Sequence, residues 1–203
     1  MFTCPNWRLF LEENRIRAVI LGIPGVGKTT IISEVEGIFE GKGLKAETVV
    51  FGSLMFEEAK KNGLKTRDDM RNLPIEDQRN LQEDAAKRIA EMRERIVIID
   101  THLFIRTSEW YYPGIPMNVT TIIRPTHLLL VIANPREILM RRHADSTRRR
   151  DLSTEAEIQH EVDVSRIMIV SSANMTGSPF TILENQKKQA KKVAQDIVRL
   201  LVG

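Results

Sequence analysis

GIPGVGKTT, residues 22–30, follows the apolar run RAVIL at 17–21. The spacing G-x-x-x-x-G-K-[ST] runs from Gly22 to Gly27, Lys28 and Thr29. This is the phosphate-binding P-loop pattern, and its chemistry follows from the residue types. Glycines let successive backbone N–H groups turn inward with no Cβ in the way. The lysine reaches β- and γ-phosphates, and the Thr29 hydroxyl is a ligand for Mg²⁺. A helix opening at this point adds its positive dipole end. The motif requires a strand before it and a helix after it. Both are present as patterns: an apolar run precedes, and Ile31, Val35 and Ile38 then share one helical face, flanked by Ile32 and Phe39. Phosphate-binding residues are therefore expected at Gly22, Ile23, Pro24, Gly25, Val26, Gly27, Lys28, Thr29 and Thr30.

Working outward, apolar β-rich runs alternate with helical patterns. Strands are expected at Arg17–Leu21, Glu47–Phe51, Ile96–Asp100, His127–Ala133 and Pro179–Leu183. Leu81, Ala85, Ile89 and Met92 form one helical stripe, with Pro74 suited to its first turn. Thr154 and Glu157 have capping-box spacing ahead of Ile158, Val162 and Ile169. A last helix carries Ala190, Val193, Ile197 and Leu201. This alternation predicts an α/β fold, a parallel sheet covered on both faces. Ligands in such folds sit at the carboxyl ends of the strands. The loops after Phe51, Asp100 and Ala133 should face the same region as the P-loop.

Composition bounds the rest. At 203 residues the chain has room for one domain with a full core. Hydrophobic residues at 42% and charged residues at 28% read as a soluble globular protein. A single cysteine, Cys4, allows neither an intramolecular disulfide nor a multi-cysteine zinc site, which fits a cytoplasmic location. No apolar run approaches the ~18 residues of a membrane span. A net charge of +3 does not by itself point to nucleic acid. Residues 1–15 carry no motif and stand as an N-terminal extension before a single domain over 16–203.

Candidate site residues cluster at the predicted strand ends. RIVIIDTH ends its apolar run in Asp100, the pattern of a Walker B strand. Its carboxylate is expected to hold Mg²⁺ opposite Thr29. His102, two residues on, suits packing or a structural hydrogen bond ahead of the alternative, a substrate contact. His127 has an ordinary structural role, and His143 and His160 fall on solvated helix faces. Five arginines lie between Arg141 and Arg150, following the fourth strand. That position favours a phosphate clamp on a short lid over a nucleic-acid patch, because arginine's planar fork matches transferred phosphate oxygens. Arg67 and Arg71 are four apart and share a face if helical. They suit either a second anionic ligand or pairing with Asp68. Arg106 lies in the loop after the third strand, and the aromatic, proline-rich segment Thr107–Pro116 follows, with Trp110 and Tyr111 suited to packing, a base pocket or a subunit contact.

GIPGVGKTT, FGSLMFEEAK, TRDDMRNLP, IIDTH, PGIP and ILMRRHADSTRRRD together resemble the archaeal-type adenylate kinases over about residues 17–203. The resemblance implies a P-loop fold with a five-stranded parallel sheet, and the reaction MgATP plus AMP giving two ADP. It implies that the P-loop holds ATP. A monophosphate region over about 52–80 would use the FGS loop, with Gly52 and Ser53, together with Arg67 and Arg71. Arg106 would meet the AMP phosphate. A lid over about 141–152 would bring Arg142, Arg148 and Arg150 to the phosphates, so that Lys28, Arg106, Arg142, Arg148 and Arg150 carry catalysis. Thr29 and Asp100 would hold the Mg²⁺. A cytoplasmic homotrimer is also implied, with no membrane or nucleic-acid partner. The long zinc-binding lid of bacterial adenylate kinases is absent. So is the arginine those enzymes carry just after the second strand, where Phe56 and Glu57 stand here. Other small-molecule kinases and a nucleotide- or RNA-binding P-loop protein are the rival readings.

Overall fold

A computed structural model describes residues 15–107, 109–144 and 153–203, apart from the side chains of Asp68 and Arg71. Five strands form one parallel sheet: β1 (Ile16–Leu21), β2 (Ala46–Val50), β3 (Ile96–Asp100), β6 (His127–Ile132) and β7 (Phe180–Glu184). Their spatial order is β2-β3-β1-β6-β7. The central strand β1 pairs with β3 from Ile16↔Ile96 to Ile20↔Asp100, and with β6 from Ala18↔His127 to Leu21↔Leu130. All six β1 residues are buried. Successive strand residues point to opposite faces, so both faces of the sheet must be covered. The edge strands β2 and β7 are only partly buried.

Covering the sheet are α1 (Lys28–Gly41), α2 (Phe51–Lys61), α3 (Arg67–Arg71), α4 (Ile75–Glu91), α5 (Met117–Ile123), α6 (Pro135–Ala144), α7 (Glu155–Thr176) and α8 (Ala190–Val202). The expected stripes are the buried ones. Ile31, Ile32, Val35 and Phe39 bury on α1, Leu81, Ala85 and Ile89 on α4, and Val193, Ile197 and Leu201 on α8. α1 packs against α8, and α4 packs between α2 and α5. Arg17 places a charge in this framework. The buried Arg17 guanidinium donates to the carbonyls of Met92 (2.7 Å), Glu94 (3.0 Å) and Ile16 (3.2 Å). It thereby ties the end of α4 to β1, and burial lowers its pKa from the usual value.

Two expectations are corrected here. The FGS segment is not a loop: β2 ends at Val50 and α2 begins at Phe51, whose side chain is buried. Burial of that ring fixes the start of the helix, so Gly52 and Ser53 occupy its first turn. Nor is the segment after β3 an open loop. β4 (Phe104–Arg106) and β5 (Tyr111–Pro113) pair antiparallel as a hairpin, with Arg106 opposite Tyr111. The Tyr111 ring meets Phe104 edge-on at 4.8 Å, so its aromatic surface is used in packing. Trp110 stays 72% exposed.

Candidate active site

The P-loop lies at the carboxyl end of β1. Gly27 is the N-cap of α1, at φ 94°. No side chain caps this helix, and its first turn holds no acidic residue. Its leading N–H groups are therefore left for an anion. Two glycines are dictated by space. A Cβ on Gly22 would sit 2.5 Å from the Val131 carbonyl oxygen, and one on Gly27 would sit 2.5 Å from Asn185 Nδ2.

Lys28 is buried, and its ammonium is held low in the loop. Nζ donates to the Gly22 carbonyl at 2.8 Å and lies 3.7 Å from Asp100 Oδ1. His102 Nδ1 stands 2.6 Å from the same carbonyl and 3.2 Å from Nζ. Nδ1 is thus the protonated nitrogen, donating to Gly22 O, and His102 has the structural hydrogen bond expected of it. Thr29 and Thr30 are exposed in the first turn of α1.

The outer side of the loop is tied to side chains that donate to its carbonyls. Arg142 Nε donates to Pro24 O at 2.9 Å. Arg141 Nη1 donates to Val26 O at 3.1 Å and Gly25 O at 3.3 Å. Asn185, at the end of β7, gives Val26 O a further bond of 2.7 Å from Nδ2. The arginines come from the end of α6, whose place after β6 brings them over the loop.

Arg142 and Arg106 meet at one buried carboxylate. Glu161 Oε2 accepts from Arg142 Nη2 at 2.7 Å, and its Oε1 accepts from Arg106 Nη1 at 3.1 Å. Arg106 Nη2 also donates to Glu157 at 2.7 Å. Those two glutamates, Glu157 foremost, raise the Arg106 pKa above its usual value. Glu157 does two tasks. It completes the Thr154 capping box, as the spacing predicts. The Thr154 backbone N–H first, and then Arg106, bring its carboxyl down to about 2.

A second cluster lies on α2 and α3, where Arg67 Nη2 donates to Ser53 Oγ at 2.8 Å. Arg71 ends α3. Its side chain, like Arg148 and Arg150, lies outside the described residues. His127 pairs with Thr126 Oγ1 at 3.0 Å, and burial lowers its pKa. His143 and His160 are exposed, and His160 lies 6.1 Å from the Tyr111 ring.

The AAA domain family model matches residues 21–159. An adenylate kinase of Methanocaldococcus jannaschii is 38% identical over 191 residues, spanning 93% of this chain and 99% of that protein. One of Pyrococcus horikoshii is 40% identical over 186 residues, spanning 90% and 93%. This chain belongs to the adenylate kinase family. Its sheet also superposes on shikimate kinase from Acinetobacter baumannii with a TM-score of 0.58 at 15% identity, covering 96% of each chain, a likeness of fold alone. Family and fold together make it a phosphotransferase of the P-loop kinase class.

The P-loop and Walker B patterns point to Lys28 and Asp100, and the arginine cluster and family resemblance to Arg142 and Arg106; the fold brings all four to one end of the sheet. No sequence motif singles out Glu161 or Asn185, and Arg141, one of the five clustered arginines, donates to P-loop carbonyls. Glu161 carries a signal of helical phase alone. It falls in the buried phase of α7, with Ile158, Val162, Ser165 and Ile169. A carboxylate in that phase needs a cation.

Proposed function

We propose that this adenylate kinase catalyses reversible, Mg²⁺-dependent phosphoryl transfer between ATP and AMP. The observation that supports it best is the grouping at one sheet end. An uncapped helix N-terminus, Lys28 beside Asp100, and Arg142 and Arg106 from two further segments all converge there. In-line transfer needs donor and acceptor phosphates held together and water excluded. The acceptor phosphate is already ionised at neutral pH, so no general base is needed.

In this reading residues 22–30 cradle the ATP phosphates, with Lys28 on the β- and γ-oxygens. Arg142, together with Arg148 and Arg150 of the lid, neutralises the transferred group. Arg106 takes the AMP phosphate. Ser53, Gly52, Arg67 and Arg71 form the acceptor region on α2 and α3. Mg²⁺ favours oxygen donors. Thr29, exposed at the start of α1, and Asp100, at the end of β3 beside the P-loop lysine, are oxygen donors of that kind, and they would hold it. Bound there, the ion would offset phosphate charge. Lys28 would then move from Gly22 O toward the phosphates, while His102 keeps that carbonyl satisfied.

Part of this proposal, on the family resemblance alone, is a cytoplasmic homotrimer without a nucleic-acid partner. Among the described residues no helix is long and apolar enough to cross a membrane. The catalytic test is a coupled assay with MgATP, offering AMP, GMP, CMP, UMP and shikimate separately. ADP formation with AMP is the expected result. Turnover with another acceptor and none with AMP would replace the substrate, and ATP binding without transfer to any acceptor would refute the reading. Light scattering checks the trimer.

A further inference from the structure

We infer that Glu161 is a positioning residue that holds Arg106 and Arg142 in one fixed arrangement for transfer. The two arginines come from separate segments, the β4–β5 hairpin and the end of α6. They share no backbone element that would set their spacing. Glu161 supplies it, with one oxygen for each: 3.1 Å to Arg106 Nη1 and 2.7 Å to Arg142 Nη2. Only 4% of Glu161 is exposed, and its place in the packed face of α7 leaves the carboxylate little room to move.

The connection continues into the phosphate loop. Arg142 reaches Pro24 O through Nε at 2.9 Å while Nη2 holds Glu161, so one guanidinium spans carboxylate and loop. On the other side Glu157 braces Arg106 from the first turn of the same helix. The result is a continuous chain from hairpin to P-loop, centred on a single buried charge. Two guanidinium groups brought this close repel one another, and a shared carboxylate offsets that repulsion. Each guanidinium has five N–H donors, so one spent on Glu161 leaves others for phosphate oxygens. Without Glu161, Arg106 is left with Glu157 and Arg142 with Pro24 O and Ser153 Oγ, so no described residue fixes one guanidinium relative to the other, and that ordering must be supplied at each turnover.

This inference rests on the assignment of Arg106 and Arg142 to the acceptor and donor phosphates, and the experiment separates the two. Steady-state kinetics are measured for Arg106→Ala, Arg142→Ala, Glu161→Gln, Glu161→Asp, and Glu161→Gln placed on the double arginine variant. If either arginine variant keeps wild-type kcat and both KM values, the assignment itself fails, whatever Glu161→Gln does. With both arginine variants impaired, Glu161→Gln is expected to lower kcat by roughly 10–100-fold, the scale of about an ångström of misplacement, with a smaller change in KM. Glu161→Asp, which keeps the charge, should recover part of that loss. On the double arginine background Glu161→Gln should have no further effect on kcat, because it has nothing left to position. A structural role alone would lower the melting temperature without this dependence on the arginines. Wild-type kcat in Glu161→Gln, or an equal loss on both backgrounds, overturns the inference. If Glu161→Gln does not fold, Glu161→Asp carries the same comparison: a kcat loss that vanishes on the double arginine background is expected, and wild-type kcat or an equal loss on both backgrounds overturns it.

Discussion

Gly27→Ala tests the P-loop geometry directly. Gly27 sits at φ 94°, and a Cβ there would stand 2.5 Å from Asn185 Nδ2. Two costs follow. A left-handed conformation costs a non-glycine residue about 1–2 kcal/mol. Asn185 must also retreat, giving up its 2.7 Å bond to Val26 O from a site only 4% exposed. Losing such a bond costs about 0.5–1.5 kcal/mol, with Arg141 still donating to the same carbonyl. A total of about 1.5–3.5 kcal/mol corresponds to a melting temperature lower by about 3–14 °C in a chain of this size. The assay is thermal unfolding of wild type, Gly27→Ala, Asn185→Ala and the double variant. The clash argument requires non-additivity. Once Asn185 is truncated, alanine at 27 should cost only the backbone strain, so the double variant should be more stable than the two losses predict by about 1 kcal/mol. Saturating MgATP at about 100 times its Kd should stabilise wild type by about 2.7 kcal/mol and Gly27→Ala by far less. Strict additivity, or a Gly27→Ala melting temperature within about 1 °C of wild type, would refute the reasoning.

Lys28→Ala should abolish measurable phosphoryl transfer while the chain stays folded, because Gly22 O keeps its His102 donor at 2.6 Å; circular dichroism and the coupled assay together decide it. For His127, burial lowers the folded pKa, while the unfolded chain protonates near pH 6.5. Its contribution to stability is therefore complete above about pH 6.5 and falls as the pH drops toward the folded value. His127→Gln should flatten that part of the melting temperature–pH curve, and an unchanged slope would remove His127 as its source.

Much of this was legible because the signals were local. The P-loop spacing, the apolar run ending in Asp100, the α7 capping box and the stripes on α1, α4 and α8 each depend on residues near one another in the chain. What escaped was set by packing across the fold. Phe51 reads as strand by composition, yet its ring is buried as the first residue of α2. The FGS segment therefore became a helix turn. FIR and YYP are too short to announce a hairpin, and beside their pairing Thr107 N–H donates to Trp110 O at 2.9 Å. Arg106 reads as a free basic residue because its partners Glu157 and Glu161 lie 51 and 55 residues away. A carboxylate's phase within a helix is readable from sequence, but the cation it will meet is not.

The tie from Arg141 to the P-loop bears on how the loop presents its N–H groups. In a trans peptide plane the C=O and the next residue's N–H point in opposite directions. Arg142 fixes the carbonyl of Pro24, Arg141 those of Gly25 and Val26, and Asn185 that of Val26 again. Holding these carbonyls outward turns the N–H groups of residues 25 and 27 toward the inner side, where phosphate oxygens are expected, while Val26 N–H donates to Ile23 O at 3.4 Å. Arg141 is itself anchored by Glu137 at 2.9 Å, one turn earlier on α6. It acts on the loop from behind and contacts no phosphate in this scheme. Arg141→Ala should therefore weaken ATP binding by about 10–150-fold, the scale of one hydrogen bond from a charged donor. The same variant should leave the KM for AMP close to wild type. Val26 O retains Asn185, so the loss traces mainly to the Gly25 carbonyl, and adding Asn185→Ala should deepen it more than that change does alone. Calorimetric titration with ATP reads these differences. An unchanged affinity in Arg141→Ala would mean that the glycines alone set the cradle, and that the arginine merely fastens α6 to it.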